Sequence, residues 1–216
     1  MTAFYSVNLA TSAVASALRF GAGGVRLEAA SLAEPLLLYE FEACPYCRVA
    51  REAIAQAGVP VIVRPCPKGG KRFRPDVERL GGKAQFPYLV DPNTGAAMYE
   101  SANISKYLHE TYGGGRHWLH WLAPLNLFSS QLAMLVRFLR GMFYLKQSYH
   151  LANPVELYAG ERDPRARLVK EVMCESEVEY LWRPSRGAPR IVDPNIGVEV
   201  IGASAILRHI RRVYRP

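Results

Sequence analysis

The chain is poor in cysteine. It has four, Cys44, Cys47, Cys66 and Cys174, in 216 residues, whereas a secreted disulfide scaffold is shorter and far denser in them. Two of the four form a C-x-x-C and the others stand alone, a usage that suits a reducing compartment with one working dithiol. No positive charge precedes Arg19, so the basic opening of a signal peptide is missing, and arginine is too sparse there for a transit peptide. No segment reads as a clean transmembrane helix. These absences predict a cytoplasmic protein. RRM, KH and zinc-finger signatures are also missing, which argues against nucleic acid as a partner. Acid is absent from Gly113 to Asn153. What is present is an ordinary globular composition, 50% hydrophobic and 21% charged, with apolar material for real cores. The net charge of +8 suits acidic small molecules or an anionic surface.

The most informative pattern is self-similarity. With an offset of 119, Pro35, Leu38, Tyr39, Glu42, Pro45, Arg48, Glu52, Val59, Arg64 and Pro65 meet identical residues from Pro154 to Pro184. Further on, Phe86-Pro87-Tyr88-Leu89-Val90-Asp91-Pro92-Asn93-Thr94-Gly95 matches Ala188 to Gly197 at an offset of 102. The second block therefore lacks 119 − 102 = 17 residues, including Lys71–Leu80, which read as one helix.

Each block reads alike. Leu36–Phe41 is a short apolar run, a buried strand. Pro45 opens a helix, where its missing N–H is of no consequence, and Gly58 ends it. Val59–Arg64 is a second strand. Tyr88–Val90 and Ala96–Tyr99 form a hairpin around a turn rich in Asp, Pro, Asn and Gly. Ser101 is expected to cap a last helix carrying Ile104, Tyr107 and Leu108 on one face. The order is β-α-β-(α)-β-β-α, an α/β unit on one central sheet. The predicted organisation is a helical segment over 1–34, a first module over 35–112, a helical linker over 113–153 and a degenerate second module over 154–216. The linker carries Arg116, Arg137, Arg140, Lys146, Trp118, Trp121, Phe128, Phe138, Phe143, Tyr144 and Tyr149. It is expected to hold one or two helices joined near Pro124-Leu125-Asn126, bridging the modules or touching an anionic membrane surface.

Cys44 falls where a strand ends and a helix begins, a place where free N–H groups and the helix dipole favour thiolate. Cys47 lies one turn on, within reach for a disulfide and more enclosed. The roles that follow are Cys44 as nucleophile and Cys47 as the thiol that resolves a mixed disulfide. Glu40 and Glu42 stand close by, and their charge opposes a thiolate. Half of a zinc site or a structural disulfide are the alternatives, but no second C-x-x-C or H-x-x-x-H follows at zinc spacing, so no metal is expected. Lys68, Lys71, Arg72 and Arg74 form a basic stretch that could meet a carboxylate or simply face solvent. In the second block Asp163-Pro164-Arg165-Ala166 replaces Cys44-Pro45-Tyr46-Cys47, and Gly202-Ala203 replaces Glu100-Ser101, so that half is chemically silent at this site.

Through Cys44-Pro45-Tyr46-Cys47 the first module resembles glutaredoxins. Through Pro87 and Glu100-Ser101 it resembles the N-terminal domain of glutathione S-transferases. From about Pro35 onward the chain is similar to a tandem family that joins two such domains by a helical linker, with Pro65-Cys66-Pro67-Lys68-Gly69-Gly70 and Gln85–Gly95 close to its pattern. The resemblance implies two thioredoxin-like modules in tandem, glutathione as cofactor, and disulfides or glutathionylated molecules as substrates. It implies a glutathione site at Tyr46, Phe86, Pro87, Glu100 and Ser101, with Pro87 in the cis form beside the dithiol. The leading expectation is a glutathione-linked thiol–disulfide oxidoreductase. The rivals are a glutathione transferase or isomerase, and a non-enzymatic scaffold that binds a partner or in which two chains share an iron–sulfur cluster.

Overall fold

The computed structural model describes residues 2–26, 32–114 and 122–216. Arg116, Trp118 and Trp121 of the expected linker lie outside them. The elements run α1(Thr2–Ala17), β1(Leu36–Glu40), α2(Pro45–Ala57), β2(Val61–Pro65), α3(Arg74–Gly81), β3(Tyr88–Asp91), β4(Ala96–Tyr99), α4(Ser101–Tyr112), α5(Ala123–Val136), β5(Val155–Ala159), α6(Pro164–Glu175), β6(Tyr180–Pro184), β7(Arg190–Asp193), β8(Val198–Ile201) and α7(Ala203–Val213). No helix among the described residues is long and apolar enough to cross a membrane.

All eight strands form one sheet, in the order β4-β3-β1-β2-β6-β5-β7-β8. β1 is parallel to β2 and antiparallel to β3, which pairs with β4. β5 is parallel to β6 and antiparallel to β7, which pairs with β8. The seam is β2 against β6, antiparallel, with Val61 opposite Trp182 and Val63 opposite Tyr180. Those four side chains are essentially fully buried, and one apolar core runs from Leu36 to Tyr214 across the seam. The two halves are thus fused edge to edge rather than only bridged by a linker. Burying the β2 and β6 edges removes two unpaired strand edges from solvent.

Helices α2, α4, α6 and α7 contribute to that core on one face of the sheet. On the other face α3 alone covers the first half, through Val77 against Tyr39, Tyr88 and Cys66. Between β6 and β7 there is no helix, in accord with the shorter second block. That bare face stays compatible with water because its side chains pair with one another: Arg183 with Glu156 at 3.3 Å, Arg190 with Glu199 at 3.0 Å, and Arg190 over the Tyr158 ring at 3.8 Å.

α1 and α5 form a third layer, α1 on α6 and α5 on α2, and they touch each other. Pro124 lies in the first turn of α5 rather than at a joint between two helices, and only this one helix is found in the described part of 113–153. A proline there lacks only an N–H that the first turn leaves unpaired anyway. Both helices turn polar residues inward. Ser12 Oγ donates to the Pro164 carbonyl at 2.8 Å, and Ser130 Oγ donates to the Pro45 carbonyl at 2.9 Å. Arg19 grips Glu52 at 2.7 and 2.6 Å and bonds Asn126 and Ser129, while Arg137 grips Glu171 at 2.8 and 2.6 Å and bonds Asn8 and Thr11. Gly23 and Gly141 both have positive φ and crowd Glu161 and Glu42, and a Cβ on Gly141 would come within 2.7 Å of the Glu42 side chain. These contacts come in pairs offset by 118 or 119 residues.

Beneath this layer lies a buried ionic cluster. Arg51 bonds Glu40, lies 3.1 Å from Glu42 and donates to Glu161 at 3.0 Å, and Lys170 also holds Glu161 at 2.5 Å. Glu161 is pushed down to about 2; burial opposes this, and the charges of Lys170 and Arg51 outweigh it. Glu42 is pushed up to about 7, first by burial and then by the charges of Glu161 and Glu40, against the pull of Arg51. Neither of its oxygens accepts a hydrogen bond from the described residues. Its proton is held more tightly folded than unfolded, so this group favours the folded state below about pH 4.5 and that contribution is lost as pH rises through about 7. Glu42→Gln is therefore expected to raise the melting temperature at pH 8 and to flatten the fall in stability between pH 5 and 8. Thermal scans across that range check it, and an unchanged pH profile would contradict it.

Candidate active site

α2 starts at Pro45 and ends at Gly58, which adopts φ 71° and returns its N–H to the Ile54 carbonyl. Its N-cap is Cys44, with extended backbone at φ −71°, ψ 123°. The Cys44 sulfur accepts the Cys47 main-chain N–H at 3.3 Å. At the matching place in the second half Asp163 caps α6 with φ −71°, ψ 117°, accepting from the Arg165 N–H at 2.9 Å. The Cys44 sulfur and the Asp163 carboxylate thus occupy the same kind of seat, one whose amide donors favour an anion.

The two thiols are driven apart. Burial pushes the Cys44 thiol up, and hydrogen bonds from the Cys47 side chain, the Cys47 amide and the Tyr46 amide outweigh it, so the net shift is downward even against the nearby charge of Glu40. Burial, the hydrogen bond with Cys44 and the charges of Cys44 and Glu40 all push Cys47 well up. Cys44 keeps 4% of its surface and Cys47 none. The acid at Glu40 therefore opposes the thiolate, as its position suggests, but Arg51 holds both acids and the helix amides prevail. Alkylation by iodoacetamide should occur at Cys44 alone, with a rate that rises with pH through a midpoint below that of an ordinary thiol, since only the thiolate reacts. Peptide mapping at several pH values checks this; equal labelling of Cys47 would contradict it.

The other expected site residues are strung around this pair. Tyr46 is 43% exposed beside the thiol. The Cys44 N–H donates to the Phe41 carbonyl at 3.0 Å. The Phe41 ring meets the edge of Phe86 at 6.1 Å. The Phe86–Pro87 bond is cis, and Pro87 is buried while Phe86 is half-buried just before β3. Gln85 donates to the exposed Glu100 carboxylate. Ser101 does not cap α4 as expected. Glu100 is the N-cap, at φ 69°, without a side-chain cap bond, and Ser101 is the first helical residue. The turn at Glu100 comes one residue earlier than the capping pattern implies, which leaves the first amides of α4 uncapped by any side chain.

Two residues at this site were readable in the sequence only as members of a stretch, Arg74 of the basic run and Gln85 of the segment that leads into Pro87. Arg74 stacks its guanidinium 4.7 Å above the Phe86 ring and donates to the Cys66 carbonyl at 2.8 Å, so within the basic stretch it is the residue in contact with Phe86. Gln85 positions Glu100. Both act across loops distant in sequence, where no periodicity points. Of the remaining basic residues, Arg72 bonds the Glu177 and Ser148 carbonyls at 2.7 and 2.9 Å and Lys68 lies 5.1 Å over Phe143. Cys66 and Cys174 are buried and their thiols are pushed up by burial, which leaves them inert. No cluster of metal-binding side chains occurs among the described residues.

A search of curated proteins and one of solved structures returned no match. Residues 38–116 do match a family, described as glutathione S-transferase, N-terminal domain. That span runs from within β1 through α4 and includes the C-x-x-C and the cis proline; its described elements form a thioredoxin-like domain of the glutathione S-transferase N-terminal type.

Proposed function

We propose that the protein is a glutathione-linked thiol–disulfide oxidoreductase, with Cys44 as nucleophile and Cys47 as the resolving thiol. The observation that carries this reading is the split pair: Cys44 caps α2 and is shifted toward thiolate, while Cys47 is buried and held as thiol. Environments that drive two titratable groups apart assign their roles. The Cys44 thiolate attacks the glutathione sulfur of a mixed disulfide. That S–S bond breaks, the released thiolate takes a proton, and Cys44 is left bound to glutathione. A second glutathione thiolate then attacks that sulfur, giving glutathione disulfide and restoring Cys44. Alternatively Cys47 loses its proton and attacks Cys44, expelling glutathione and forming an internal disulfide that two further glutathiones reduce.

Glutathione would lie along Phe86 and Pro87, its extended main chain next to the start of β3. The uncapped start of α4 at Ser101, with Glu100, would receive one end of the tripeptide, and the Arg74 guanidinium is placed for a carboxylate at the other. Tyr46 would flank the sulfur. The second half is read as a degenerate copy of the first, on the strength of the paired Arg19–Glu52 and Arg137–Glu171 contacts and of Asp163 in the place of Cys44. Its part is structural, completing the sheet and the ionic cluster.

The test is turnover of a small glutathione mixed disulfide with glutathione, NADPH and glutathione reductase. No turnover by folded, reduced protein would sink the reading. A transferase is the second reading, favoured by the family matched over residues 38–116; conjugation of standard electrophiles without disulfide turnover would select it.

A further inference from the structure

A cavity of about 390 Å³ opens between α1, α6 and α7, in the half of the molecule without the dithiol. Its size is that of a small-molecule site. The floor is apolar: Leu168, Val172 and Leu207 are almost fully buried, and Tyr5 packs half-buried beside them. The rim is basic. Glu171 also lines the cavity, but both of its oxygens are taken by Arg137. Arg140 on the rim is held by Glu175 at 2.6 Å. That leaves Arg208 and Arg211, exposed on α7, with no ion pair among the described residues.

The rest of α7 supplies no neutralising group, because Ala203–Val213 contains no acid. At the corresponding place on α4, Lys106 lies 4.0 Å from Glu110. Arg208 and Arg211 are three residues apart and so sit on one helix face, where both guanidiniums can reach one anionic head. A purely polar anion would leave the leucine and valine floor wet, and a neutral lipid would leave both guanidiniums without a counter-ion. We propose that this cavity binds a small amphipathic carboxylate, an alkyl or aryl acid whose head meets Arg208 and Arg211 and whose tail lies on Leu168, Val172 and Leu207.

Calorimetric titration of the full, reduced chain with sodium octanoate tests this, with octan-1-ol as the uncharged control. One octanoate per chain is expected, with octanol at least about tenfold weaker, the loss that a charge-assisted contact implies. The double substitution Arg208→Ala, Arg211→Ala should weaken octanoate by about tenfold or more. Both arginines are exposed, so the fold is not at risk. Ser204→Trp fills the cavity from its wall with both arginines kept and should abolish binding; Ser204→Leu replaces it if the tryptophan lowers the melting temperature. Cys44→Ser should bind octanoate as wild type does. No binding to the wild type, octanol as tight as octanoate, or retention in either the arginine or the Ser204 variant would overturn the proposal.

Discussion

A Cys44→Ser variant is expected to turn over a glutathione mixed disulfide at least about a thousandfold more slowly than wild type, because a serine hydroxyl stays protonated and cannot attack sulfur at neutral pH. Cys47→Ser should stay within about tenfold of wild type. Two of the three donors that bring Cys44 down, the Cys47 and Tyr46 amides, belong to the backbone and survive the change. The third, the Cys47 side chain, is replaced by a serine hydroxyl that also donates. The buried Cys47 is in turn slow to lose its proton, so resolution by a second glutathione should carry most of the flux. The steady-state rates of the three proteins decide it. A Cys47→Ser loss as large as that of Cys44→Ser would mean that the internal disulfide is obligatory.

The largest stability effect is expected at Arg51. This guanidinium is fully buried and is shared among Glu40, Glu42 and Glu161, with a further bond to the Glu42 carbonyl at 3.3 Å. Arg51→Met removes the only cation that reaches Glu40 within ion-pair distance among the described residues, and leaves Lys170 to hold Glu161 alone. Breaking one member out of a buried charge network costs about 3–5 kcal/mol. In a chain of this size that is a fall of about 6–20 °C in melting temperature. The loss should be greater at pH 8 than at pH 5, since the stranded carboxylates can take up protons at the lower pH. Arg79→Met, which breaks an exposed pair with Asp76 at 3.2 Å, should shift stability by about 0.5 kcal/mol or less. Thermal unfolding of the two variants at both pH values makes the comparison. If Arg51→Met melted with wild type, the cluster would contribute nothing net to the fold.

Much of the fold could be read from local signals. Pro45 and Gly58 bracket α2 because each has a backbone conformation suited to a helix end. The short link from Pro184 to Arg190 agrees with the closer spacing of the two matching stretches in the second block, since no helix fits there. Pro87 stands in the cis form that the resemblance implies. The seam between β2 and β6 was not legible. Val61–Val63 and Tyr180–Trp182 are apolar runs like any buried strand, and nothing in such a run marks which edge it will pair with. The correspondence of the α1 and α5 regions is readable in the sequence, since Asn8, Leu9, Ser12, Ala15, Arg19, Phe20 and Gly23 meet identical residues 118 further on, but it lies outside the block that begins at Pro35. Of these only Asn8, Ser12 and Arg19 are polar, and they gain meaning only when Arg19 and Arg137 are seen to reach across to the opposite helix. At the site, the cysteines and the cis proline were legible because backbone geometry demands them, whereas Arg74 and Gln85 serve through contacts between distant loops. Ser101 misled because Glu100 adopts a left-handed turn that non-glycine residues seldom take.

The most direct measurement of the account is to treat reduced Cys47→Ser protein with oxidised glutathione and then locate the adduct by intact mass and peptide mapping. Cys44 as the activated, glutathione-directed thiol predicts one glutathione per chain, joined by disulfide to Cys44 and removed by excess reduced glutathione. An unmodified protein, or glutathione on Cys66 or Cys174 instead, would contradict it.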